Sequence, residues 1–105
     1  MIAFNQDTVV AAQIVALYDE ARPLDFVDVH LALHEGGYTR DRLIELLRTR
    51  DQGFDPVIFA GALAELPHIP DDEFTPHGLD EIEICVMRAR FADWYRALLD
   101  AGLGS

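Results

Sequence analysis

The stretch that decides the fold is LDEIEICVMRARFADWYRALLDAG, Leu79 to Gly102. Ile84, Met87, Phe91, Trp94 and Leu98 recur at spacings of three and four, the period of one face of an α-helix. Asp80 followed by Glu83 reads as a capping-box pair, and Leu79 stands where it can staple to Ile84. The spacing predicts a long helix over Glu81 to Ala101, ended by Gly102. Its apolar stripe is wide enough to pack on two other helices.

Working outward, four shorter helices precede it. The first is predicted from Thr8 to Ala21 with Asp7 as N-cap; Val10, Ile14, Leu17 and Tyr18 share a face. Pro23 breaks it and opens the next helix. That second helix, Leu24 to Glu35, is apolar almost all round and is expected at the centre, with Gly36 suited to a left-handed C-cap. The third, Arg40 to Arg50, is capped by Thr39, with Tyr38 stapling to Leu43. The fourth, Pro56 to Glu65, is capped by Asp55, with Phe54 stapling to Phe59. Residues 67–78 form a long connection, in which a helical turn around Asp71 to Phe74 is expected. No strand pattern is present. The fold expected is all-α: one compact domain of about five helices over residues 1–105, packed around the second, with residues 1–6 and 103–105 as frayed ends.

Composition narrows the function. The chain has 105 residues and a formal net charge of -11, from 19 acidic and 8 basic side chains. All eight basic residues are arginine, so no mechanism can take a lysine from this chain. Half the residues are hydrophobic, which separates it from a disordered acidic tail. The charge opposes direct binding to nucleic acid or an anionic membrane surface. No apolar run approaches the roughly 20 residues of a membrane span, and the N-terminus has no signal-peptide pattern. A cytoplasmic protein is expected. The one cysteine, Cys85, sits in the apolar run Ile84-Cys85-Val86-Met87 and reads as a small buried hydrophobe.

Few constellations carry chemistry. Asp25 and Asp28, at i and i+3, place two carboxylates on one helix face, where they can hold Mg²⁺ with substrate phosphates or share a proton. Solvation or pairing with arginine is the plainer reading. His30 and His34 have the i, i+4 spacing of a zinc pair. No glutamate follows His30 as in the zinc-protease motif, and no third ligand is near. Arg40, Arg42, Arg48 and Arg50 make the third helix the one basic stretch. Asp41 and Glu45 are interleaved with them, as on a solvated face with intrahelical pairs. Arg40 and Arg42, with Asp71, Asp72 and Glu73, are the charged residues expected to meet a partner. Phosphate-loop and serine-hydrolase motifs are absent.

The stretch Ala11-Ala12-Gln13-Ile14-Val15-Ala16-Leu17-Tyr18, continuing through Arg22-Pro23-Leu24-Asp25-Phe26-Val27-Asp28-Val29, resembles the later, helical part of the AbiEii/AbiGii-toxin type nucleotidyltransferases of abortive-infection and type IV toxin–antitoxin systems. There a helix carrying K-x-x-A-L runs into R-D-F-x-D. Gly53-Phe54-Asp55-Pro56, Ile69-Pro70-Asp71-Asp72-Glu73-Phe74 and Arg88-Ala89-Arg90-Phe91-Ala92-Asp93-Trp94 are similar to further pieces of the family in the same order. The resemblance implies nucleotide transfer with Mg²⁺, but the family's catalytic centre lies in an earlier α/β domain to which nothing here corresponds. The family's lysine position is Gln13, and its basic positions are Glu20 and Leu24. Phosphoryl-type transfer depends on cations that clamp the charge, so these departures imply a non-catalytic relative.

The expected function is therefore a helical interaction protein without cofactor, binding a protein partner or a second copy. Dimerisation through helix five is one form of it, with Trp94, Tyr95 and Leu99 exceeding what one small core covers. One alternative is the in-trans half of a split nucleotidyltransferase, with Asp25 and Asp28 lining the cleft and Mg²⁺ and nucleotide bound. Another is an acidic mimic of nucleic acid, built on Asp71, Asp72, Glu73, Asp80, Glu81 and Glu83.

Overall fold

A computed structural model of the chain describes residues 5–103, and these contain five α-helices, three 3-10 turns and no strand. The helices are α1 (Gln6–Glu20), α2 (Pro23–His34), α3 (Arg40–Arg50), α4 (Pro56–Leu63) and α5 (Glu81–Leu103). The all-α architecture expected from the hydrophobic spacing is the one observed. Of the expected frayed ends, residues 1–4 and 104–105 lie outside the described part, whereas Gln6 is already helical.

Most helix boundaries follow local capping chemistry. Thr39 accepts from the Arg42 N–H and Asp55 from the Val57 N–H, so α3 and α4 begin where short polar side chains satisfy free donors. Asp80 accepts from the Glu83 N–H at 2.8 Å. Helix α4 stops at Leu63, two residues before the expected Glu65, and three caps or stops differ from expectation. Asn5 rather than Asp7 caps α1, its side chain accepting from the Asp7 N–H, and Asp7 falls in the first turn. Asp7 instead ties α1 to α3 by accepting from the Tyr38 hydroxyl and the Arg42 guanidinium. After α2 the left-handed residue is Gly37, at φ +76°, not Gly36. Gly36 lies against the helix end, where an added Cβ would sit 2.9 Å from the Ala32 carbonyl oxygen. Gly102 does not end α5. The helix runs through it, and a Cβ there would meet Val57 at 2.5 Å, so glycine lets the last turn close on α4.

Packing centres on α1 rather than on α2. Helix α1 lies against α2, α3 and α4, and α4 packs along α5. Its buried residues are Val10, Ala11, Ile14 and Leu17. Helix α2 is still heavily buried through Phe26, Val27, Val29 and Ala32. An aromatic chain knits the layers. Phe26 meets Phe91 edge-on at 5.4 Å, Phe91 stacks on Trp94, and Trp94 meets Phe59 edge-on at 5.0 Å. The expected Phe54–Phe59 staple is present, with ring centroids 6.2 Å apart.

The connection from α4 to α5 is three 3-10 turns, Leu66–His68, Asp71–Glu73 and Thr75–His77, where one turn was expected. Phe74 is fully buried and anchors it. Arg88 of α5 holds it from the side. Its guanidinium donates to the Leu66 and Ile69 carbonyls at 2.9 and 2.6 Å, pairs with Asp71 at 2.8 Å and lies over the Phe74 ring.

Candidate functional site

The first candidate is the carboxylate pair on α2. Asp25 is buried and its carboxylate is held by Arg22. It accepts from the Arg22 backbone N–H at 2.9 Å and from its Nε and Nη2 at 3.0 and 3.2 Å. Asp25, in the first turn, thus caps the Arg22 N–H at the start of α2, and Arg22, which has no side-chain acceptor, answers by donating its guanidinium to the same carboxylate. Asp28 is half-buried one turn on. Burial pushes its carboxyl up, the Asp25 charge adds to this, and nearby His77 partly offsets it. Gln13 and Asp28 face the same open grooves between α1 and α2, beside Val9. The sole guanidinium lining them, that of Arg22, is shared between Asp25 and Glu20, the latter at 2.8 Å. Among the described residues such a cleft offers one half-buried carboxyl and no free cation to clamp a triphosphate.

The second candidate is His30 and His34. Their rings stack at 5.5 Å, but their environments differ. His30 is 1% exposed, its Nδ1 has no hydrogen-bond partner among the described residues, and Arg90 donates to its backbone carbonyl at 3.3 Å. Burial, then the Arg90 charge, then His34 lower its pKa to about 4. The ring is thus neutral at pH 7 and sits in the core. Among the described residues no group of three or more His, Cys, Asp or Glu is placed to hold a metal ion.

The charged residues expected to meet a partner are only partly free. Arg40 reaches across to α5, pairing with Asp93 at 3.0 Å, donating to the Arg90 carbonyl and lying over Trp94. Arg42 makes one intrahelical pair, with Glu45, and one long-range pair, with Asp7. Arg48 lies over Phe54. Instead of a purely solvated face with intrahelical pairs, these arginines brace α3 against its neighbours. Asp71 is held by Arg88, while Asp72 and Glu73 are exposed.

Helix α5 holds what the sequence reading missed. Trp94 is 2% exposed, so the core covers it and it offers no dimer surface; Tyr95 and Leu99 are half-buried. Cys85, expected in the core, is exposed. A helix cannot bury four consecutive residues on one face, so of Ile84-Cys85-Val86-Met87 only Ile84 and Met87 turn inward. Ile82, at 75% exposure, and Val86 lie with Cys85 and Ala89 on the outer face. Their spacing of three, four and seven was the available signal, since it forms a second apolar stripe opposite the first. Beside it, a groove of about 430 Å³ runs between α4 and α5, lined by Leu63, Pro67, Phe91, Ala92 and Tyr95. No described helix is long and apolar enough to cross a membrane. Compared with protein-family models, curated proteins and solved structures, the chain matches none.

Proposed function

We propose that the chain is a non-catalytic helical interaction module whose contact surface is the outer side of α5. The observation that carries this reading is the row of exposed apolar residues Ile82, Cys85, Val86 and Ala89, which the fold leaves uncovered. Apolar side chains gathered on one face of a small protein favour a partner over water. The state of the carboxylates supports it from the other side. Asp25 caps its own helix at Arg22, and among the described residues the groove beside Asp28 has no free cation. The resemblance to the helical part of AbiEii-type nucleotidyltransferases is compatible with a non-catalytic relative, because Gln13, Glu20 and Leu24 replace its cationic or basic positions.

Two measurements test it. Titration of the labelled protein with Mg²⁺-ATP or Mg²⁺-GTP, followed by amide NMR, is expected to leave Gln13, Asp25 and Asp28 unshifted. Saturable shifts there, or nucleotide transfer lost in Asp28→Asn, would establish the split-enzyme alternative instead. Capture of partners by the tagged chain should give a species that wild type retains and Val86→Asp loses. Retention of every partner by that variant removes α5 as the contact surface.

A further inference from the structure

Helical geometry places Ile82, Cys85, Val86 and Ala89 on one strip of α5, opposite Ile84, Met87 and Phe91. At about 100° per residue, Glu81 and Glu83 fall on either side of Ile82. Both are charged flanks of an apolar strip. Asp80 and the 3-10 residues Asp72 and Glu73 precede them in the chain, and all three are exposed. Among the described residues none of these five carboxylates is in an ion pair.

The nearby cations do not balance them. No arginine occurs between residues 51 and 87. The first two on α5 are held inward, Arg88 by Asp71 and the carbonyls of Leu66 and Ile69, Arg90 by the His30 carbonyl. Carboxylates in a first turn favour the helix dipole, which accounts for Asp80, Glu81 and Glu83. It does not account for the exposed β-branched Ile82 and Val86 between and after them. A second copy of the chain would bring another net charge of -11 and the same five carboxylates to the contact. Like charges within a screening length of about 8 Å oppose that pairing.

We propose that the outer face of α5 from Ile82 to Ala89 docks an amphipathic helix of a partner protein whose apolar stripe is flanked by Lys and Arg. This rests on the interaction reading above and names the chemistry of the partner. Leucine-type side chains of the partner cover Ile82, Val86 and Ala89, and its cations meet Glu81 and Glu83. Small Ala89 lets the two helix axes approach.

The probe is a synthetic helical peptide of about 18 residues, five turns, with leucines at i, i+3, i+4 and i+7 and Lys/Arg flanks. Matched peptides carry Glu flanks, or serine in place of the leucines. Calorimetry in about 0.15 M salt should show binding of the basic leucine peptide only. That peptide should protect Cys85 from maleimide and shift the amides of Ile82, Val86 and Ala89. Ile82→Asp is the deciding variant. It adds a negative charge, so charge attraction alone tightens binding, whereas loss of the apolar contact weakens it about tenfold or more. An unchanged circular dichroism spectrum is expected for it, since Ile82 is solvent-exposed. Tighter binding by Ile82→Asp overturns the proposal, as does failure of the basic leucine peptide to bind. Preferential binding of the Glu-flanked peptide at the same amides overturns the basic partner but leaves an interaction surface on α5. Sedimentation showing a dimer abolished by Ile82→Asp makes a second copy the occupant and also overturns it.

Discussion

Asp25 accepts three hydrogen bonds from Arg22, two from the guanidinium and one from the backbone N–H, at 2.9 to 3.2 Å. The pair follows directly on the left-handed residue Ala21, φ 50°, that separates α1 from α2. A carboxylate that a nucleotide-transfer reading assigns to Mg²⁺ is thereby a structural cap, buried with its partner exposed.

Removing that cap should therefore unfold rather than inactivate. Asp25→Ala is expected to lose about 1–3 kcal/mol of stability in urea unfolding at pH 7, the range for a lost cap and charge-assisted hydrogen bonds. Asp25→Asn should lose less, because its amide oxygen still accepts from the Arg22 N–H. Asp28→Asn should be neutral or stabilising, because burial and the Asp25 charge disfavour the ionised Asp28 carboxyl. A larger loss in Asp28→Asn than in Asp25→Ala contradicts this assignment.

His30 makes stability depend on pH in a defined window. Its folded pKa is lowered from 6.5 to about 4 by burial first and by Arg90 second. Between those values the unfolded chain binds the proton and the folded one does not, so stability rises with pH and is lost as pH falls from 6.5 to 4. The full difference is about 3 kcal/mol. Unfolding free energies at pH 7 and pH 4.5 should differ less in His30→Leu than in wild type. Equal pH dependence in the two proteins refutes a neutral buried His30.

Arg88 should govern the order of residues 66–77. Its fork reaches two carbonyls, one carboxylate and the face of Phe74 together. A lysine ammonium has no planar fork to match. Arg88→Lys is expected to lose about 1–3 kcal/mol and to speed hydrogen exchange at the Ile69, Phe74 and Gly78 amides, which close the three turns. Exchange unchanged at those amides would show that Phe74 alone holds the segment.

What one strand of text could determine here was local and periodic. The three-and-four spacing of Ile84, Met87, Phe91, Trp94 and Leu98 specified a long helix with one buried face, and Thr39 and Asp55 marked where α3 and α4 begin, because a cap acts within three residues of itself. Residues 40 and 50 bound α3 as the spacing predicts. Tertiary structure decided what depends on neighbours distant in sequence. It selected α1 as the packing centre, turned Arg40 from its own helix to α5, and gave Arg88 three partners 17 to 22 residues away. It also gave Asp25 and Asp28, and His30 and His34, different degrees of burial, although each pair shares a helix, because burial is set by the surrounding helices. The exposure of Cys85 lay between the two: its side of α5 was legible from the period, but only packing shows that none of the other described helices covers that side. The physical reason is range, since hydrogen-bond capping and helical period act over one turn, while desolvation and ion pairing depend on which surfaces the whole chain brings together.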